Sequence, residues 1–145
     1  MSEINGIYAA SVSILDKNLR LDISKTIKHA ENLIDQGCHG VAILGSTGQA
    51  QLISLEEKIK LIEELSKSKY KKNFIVGTGF NSLSDTIFLM KKSQSLDMKK
   101  FLIMPPAYYF YKDKDVINFY NKLIENISDC KIILYNFEKL CGYKF

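Results

Sequence analysis

Gly40-Val-Ala-Ile-Leu-Gly-Ser-Thr-Gly-Gln49 is an apolar run that breaks off at a small, hydroxyl-bearing turn. Val41 to Leu44 are consecutively apolar, as a strand buried on both faces of a parallel sheet requires. The turn then falls at the C-terminal end of that strand. Between Gly45 and Gly48, Ser46 and Thr47 offer hydroxyls and backbone N–H groups that suit a small anion such as a carboxylate. The same residues also fit a plain strand-to-helix connection in which Ser and Thr act as caps. The flanking sequence has to decide between the two.

On the N-terminal side, Gly6–Leu15 alternates small and apolar residues and predicts a first strand. Over Asp22–Gln36, Ile23, Ile27, Ala30, Leu33 and Ile34 follow helical spacing up to Gly37. On the C-terminal side, Ser54 stands three residues before Glu57 in capping-box spacing, and Leu55, Ile59, Ile62 and Leu65 form one helical face running into a basic cluster, Lys67 to Lys72, that suits a helix end. Phe74–Phe80 predicts a third strand, with Gly77 and Gly79 placed for close backbone approach. Ser84–Leu96 predicts a third helix, and Lys100–Pro106 a fourth strand closed by its two prolines. The aromatic run Tyr108–Tyr111 precedes a fourth helix over Asp113–Ile127, and Lys131–Phe137 reads as a fifth strand. Strand and helix alternate at intervals of roughly thirty residues, the pattern of parallel βα units. A doubly wound sheet and a (β/α)8 barrel both fit, but a barrel needs about 250 residues, so 145 residues supply a little over half of one.

The composition supports one domain with a core: 46% of residues are apolar and 25% charged, with 2 Pro and 8 Gly. The net charge of +4 comes from 20 basic and 16 acidic residues that are interspersed, which argues against a nucleic-acid surface. Cys38, Cys130 and Cys141 are odd in number and lack CxxC spacing, so neither a disulfide framework nor a zinc site is expected, and a reducing cytoplasm fits best. His29 and His39 have no ligand partners at metal spacing and read as surface or helix-end residues. The N-terminus shows no leader, and no apolar run approaches the roughly 20 residues of a spanning helix. Neither GxGxxG nor a GxxxxGK loop is present, so no phosphate loop is expected.

Where chemistry gathers at strand ends, this chain delivers Ser46 and Thr47, Tyr108 and Tyr135: hydroxyls without a strong base or an adjacent lysine. Four ordered motifs resemble those of the dihydrodipicolinate synthase and N-acetylneuraminate lyase family of class I aldolases. They are Gly45-Ser-Thr-Gly-Gln49 with Leu55-Glu56-Glu57, Phe74-Ile-Val-Gly-Thr-Gly79, Pro105-Pro-Ala-Tyr-Tyr109, and Leu134-Tyr-Asn136 with Gly142. The resemblance implies that residues 1–145 are the N-terminal part of a single (β/α)8 barrel domain. It also implies a homotetramer and pyruvate or a related 2-keto acid held as a Schiff base, without metal or cofactor. On the family pattern Ser46 and Thr47, between Gly45 and Gly48, grip the pyruvyl carboxylate. Tyr135, with Thr47, serves proton transfer, and Tyr108 is lent across a subunit interface.

Two departures from that pattern shape the expectation. The imine-forming lysine of the family belongs to strand six, and Lys139 and Lys144 come too early to replace it, so residues 1–145 alone are expected to be inactive. Leu140 stands where dihydrodipicolinate synthases carry an arginine that would clamp a second carboxylate. That favours a lyase or keto-acid aldolase over 4-hydroxy-tetrahydrodipicolinate synthase proper. Glu138 replaces the usual proline of the loop after Tyr135. A non-catalytic module that binds a keto acid or docks on whole subunits is the alternative from another class.

Overall fold

Asp22 begins the first helix for a local reason: its carboxylate accepts the Lys25 N–H, capping α1, Ile23–Asp35. Buried Ala30 and Thr26 lie on the inward stripe of α1, and Gly37 follows with φ +108°. The computed structural model describes residues 4–145, and Met1–Glu3, on which the reading of no leader partly rests, lie outside them. The strands are β1, Tyr8–Ala10; β2, Gly40–Ile43; β3, Phe74–Gly77; β4, Lys100–Ile103; and β5, Lys131–Leu134. The other long helices are α2, Leu55–Leu65; α3, Leu83–Ser95; and α4, Asp113–Asn126.

All four strand pairings are parallel, and the sheet order is β1-β2-β3-β4-β5. That order separates the two architectures the alternation left open. A doubly wound sheet reverses its order at a switch point, whereas a barrel adds each strand beside the last. Here no reversal occurs, and α1 packs on α2, α2 on α3 and α3 on α4 along one side of the sheet. Val41, Ile43, Phe74, Val76, Phe101 and Ile103 point outward into the core beneath these helices, with Leu61, Leu65, Leu89, Met90 and Leu123 facing them.

The strands are shorter than the apolar runs that predict them, because the runs continue into loops that still pair singly. Ser11 donates to Ala42, and Tyr135 to Ile103, each at 2.9 Å. A one-turn helix, α5, Glu138–Cys141, follows β5; four residues are too few to carry a helical period. The basic cluster does not end α2, which has no basic residue in its last turn; Lys71–Asn73 form a separate turn that leads into β3. The three cysteines are free, and no helix among the described residues is long and apolar enough to cross a membrane.

Candidate functional site

β2 ends in a sharp reversal. Leu44 is buried yet sits at φ +54°, an uncommon conformation for a branched residue, and it redirects the chain into the Gly45–Gln49 turn. Gly77 at the end of β3 permits this: a Cβ there would lie 2.2 Å from the Leu44 carbonyl oxygen. The close approach expected at Gly77 and Gly79 is thus present at both, since a Cβ on Gly79 would meet that of Ala50 at 2.5 Å. Within the turn, the Gln49 and Ala50 amides donate back to Ser46 and Gly45. The amides of Ser46, Thr47 and Gly48 find no acceptor among the described residues. Successive N–H groups left without backbone partners are available to an anion.

From the far edge of the sheet, Tyr135 reaches this turn. Its hydroxyl and the Ser46 hydroxyl share a 2.8 Å hydrogen bond. Both line a cleft of about 420 Å³ at the C-terminal ends of the strands, together with Gly45, Leu102, Tyr108 and Leu140. No wall residue carries a formal charge. Of the residues predicted for the site, Gly45, Ser46, Tyr108 and Tyr135 therefore come together. Thr47 is exposed and lies outside the cleft wall. Gly48 is buried behind it, its carbonyl accepting from Ser13 Oγ at 2.6 Å. Tyr108 stands on the rim, 86% exposed and at φ +85°, with its ring edge-on to Tyr109 at 5.0 Å. Leu140, the position expected to decide the branch, faces the cleft as the resemblance implies.

Two contributors escaped the sequence reading. Asn81 Oδ1 accepts the Ala107 N–H at 2.9 Å and so fixes the loop that presents Tyr108. Lys58, on α2, is 0% exposed. Its Nζ donates to the Thr78 carbonyl at 2.8 Å, lies 3.5 Å from the centre of the Phe80 ring, and sits 3.4 Å from where a Gly79 Cβ would be. Burial pushes its ammonium down to about 8, against a smaller opposing pull from Asp85. The signal for it was present: Lys58 falls three residues after Leu55 and four before Ile62, on the apolar stripe. Cys141 is buried below the site, and burial raises its thiol pKa. Among the described residues no group of three or more His, Cys, Asp or Glu is placed to hold a metal.

Sequential parallel strands in unbroken order, with a cleft at their C-terminal ends, match the N-terminal half of a (β/α)8 barrel. The sequence pattern of the Dihydrodipicolinate synthetase family matches residues 3–145, and the chain belongs to that family. An uncharacterized DapA-like lyase of Chloroflexus aurantiacus is 28% identical over 98% of this chain and 48% of its own length. L-threo-3-deoxy-hexylosonate aldolase of Aspergillus niger is 30% identical over 91% of this chain and 42% of its own. A variant of Sulfolobus solfataricus 2-keto-3-deoxygluconate aldolase, solved as a pyruvate complex, superposes with a TM-score of 0.85 at 27% identity, covering 96% of this chain and 47% of that one. The chain thus spans about half the length of the relatives it matches.

Proposed function

We propose that this chain is the keto-acid-binding half of a class I aldolase or lyase barrel, acting on pyruvate or a related 2-keto acid. The observation that carries the reading is the turn after β2, where the Ser46, Thr47 and Gly48 N–H groups have no acceptor among the described residues and a tyrosine hydroxyl is held 2.8 Å from Ser46. In this reading the keto-acid carboxylate takes the amides of Ser46, Thr47 and Gly48 and a hydroxyl of the Ser46–Thr47 pair. The carbonyl carbon then lies toward Tyr135. Tyr135 and Ser46 pass protons to and from the oxygen of the tetrahedral adduct that an amine forms with that carbonyl, and so assist the loss of water that gives the imine. The amine is a lysine of strand six, supplied by the other half of the barrel. Tyr108, projecting from the rim, reaches the site of a neighbouring subunit in a tetramer, and the assembly works in the cytoplasm.

Leu140 supports an aldolase or lyase over 4-hydroxy-tetrahydrodipicolinate synthase. A neutral wall with leucine where an arginine fork would be has nothing to hold a second carboxylate. The test is incubation of the protein from its source with pyruvate and borohydride, followed by intact mass. One reduced pyruvyl adduct per complete barrel is the expected result. A protein that binds pyruvate but gains no adduct is a keto-acid-binding module, and one that does neither removes the proposal.

A further inference from the structure

The basic cluster around Lys71 and Lys72 does not serve the helix end for which its composition suits it. At the opposite end of the sheet from the hydroxyl cleft, Lys71, Lys72, Lys99 and Lys100 converge with Asp97 and Asp129 on a second cleft of about 360 Å³, with Phe74 in its wall. Four ammonium groups face two carboxylates, which leaves two positive charges in excess. The pairing is uneven. Lys99 and Asp129 are 2.6 Å apart, but Lys71 and Lys72 share Asp97 at 3.8 Å each.

Lys100 is the decisive member. It is 9% exposed, and among the described residues no carboxylate lies within 4.0 Å of it. Its Nζ donates to the Lys72 carbonyl at 2.9 Å and lies 6.0 Å from the centre of the Tyr8 ring. One of its three protons is thus matched by a neutral acceptor and the charge by nothing negative. Burial lowers its pKa accordingly. A buried ammonium without a counter-charge is costly, and an anion entering the cleft supplies the charge that is missing. No arginine lines the cleft, so a planar carboxylate fork is not what the wall is built for. Lysines act as point charges toward a compact, multiply charged oxyanion.

We propose that this cleft binds a compact dianionic oxyanion of the phosphate type, at a site separate from the keto-acid cleft. Inorganic phosphate and the phosphate group of a small monoester share the chemistry, and the test separates them. Thermal unfolding of the chain is followed in inorganic phosphate, in glycerol 3-phosphate and in sodium chloride at equal ionic strength. Phosphate at ten times its Kd is expected to multiply the folding constant about elevenfold over chloride. Tighter binding of glycerol 3-phosphate identifies a monoester as the ligand; binding of inorganic phosphate alone identifies the free ion.

Lys100→Met removes the buried charge without opening a cavity and is expected to fold and to abolish the phosphate-specific gain. Should that variant fail to fold, the surface pair Lys71→Gln with Lys72→Gln provides the same comparison and is expected to weaken the phosphate response several-fold. Equal midpoints in phosphate and chloride, or a phosphate gain that survives both sets of substitutions, overturn the proposal.

Discussion

A tyrosine hydroxyl anchored to a serine 89 residues away in sequence is a long-range contact that the sheet has to hold in register, and here it is held at a strand end where backbone pairing persists through the Tyr135 N–H. Tyr135→Phe removes the hydroxyl and leaves the ring packed near Phe137, so the fold is expected to survive. In the complete barrel, turnover is expected to fall by about 10²–10⁴-fold, the usual worth of a positioned proton-transfer group. Steady-state kinetics with unchanged kcat would take Tyr135 out of the chemistry. Lys58 makes a different statement at the same scale. Below about pH 8 it is protonated folded and unfolded, and the full cost of burying its charge is present. Between about 8 and its ordinary 10.5, the unfolded chain keeps a proton that the folded chain has released, so stability rises with pH through that window. The total is on the order of 3 kcal/mol. Urea midpoints for the wild type and Lys58→Met between pH 7 and 10.5 isolate the effect from tyrosines and thiols that titrate in the same range. The wild type is expected to gain on the variant as pH rises, and a constant difference would mean that Lys58 is not buried as a charge.

Among the elements, α2 shows how one capping group ties two units together. Ser54 Oγ accepts the Glu57 N–H at 3.2 Å and Glu57 Oε2 accepts the Ser54 N–H at 3.1 Å, while Oε1 of the same carboxylate accepts the Leu21 N–H at 2.9 Å, from the loop before α1. The Leu21 bond first, then the Ser54 hydroxyl, hold the Glu57 carboxyl below its ordinary 4.5. A carboxylate with a lowered folded pKa stabilises fully above its unfolded value and loses that contribution as pH falls through the folded one. Glu57→Gln is therefore expected to destabilise the chain by about 1 kcal/mol at pH 7, with the difference shrinking below pH 4.5. Thermal midpoints of both proteins from pH 7 to 3 measure this, and a pH-independent gap would leave the carboxylate's charge with no role. Capping-box and apolar spacing are local, which is why Ser54 with Glu57 and all four long helices were legible in the sequence, whereas the Asp22 cap came only with the structure. The Gly45–Gln49 turn was legible as a place where chemistry gathers, but which hydroxyl meets Tyr135 was not, because a rotation of one residue within a turn leaves composition and spacing unchanged. Lys58 was missed because a lysine in a helix ordinarily faces solvent, and only the carbonyl of Thr78 and the ring of Phe80 make its burial tolerable.

At the scale of the whole molecule, the sheet formed by the described residues has five strands, with β1 and β5 at its two edges. The β4–β5 register turns the Lys131 and Tyr135 N–H groups toward β4, at 2.8 and 2.9 Å from their acceptors, so the ladder's alternation points those of Ile132 and Leu134 outward. Leu134 on this strand and Phe137 just after it are exposed, an apolar border of the kind that another β-unit covers. Hydrogen exchange distinguishes a free edge from a covered one. In the chain alone, the Ile132 and Leu134 amides are expected to exchange at nearly the rate of an unstructured peptide, while Val76 and Phe101, at the centre of the sheet, exchange only through global opening. Adding the complementary half of a family barrel in trans should slow Ile132 and Leu134 toward the central rates, because barrel closure gives each outward N–H an acceptor. Slow exchange at Ile132 and Leu134 before anything is added would show the edge already paired. Sedimentation at the same concentration would then have to give twice the mass of this chain, since a parallel edge strand gains protection only from a second strand.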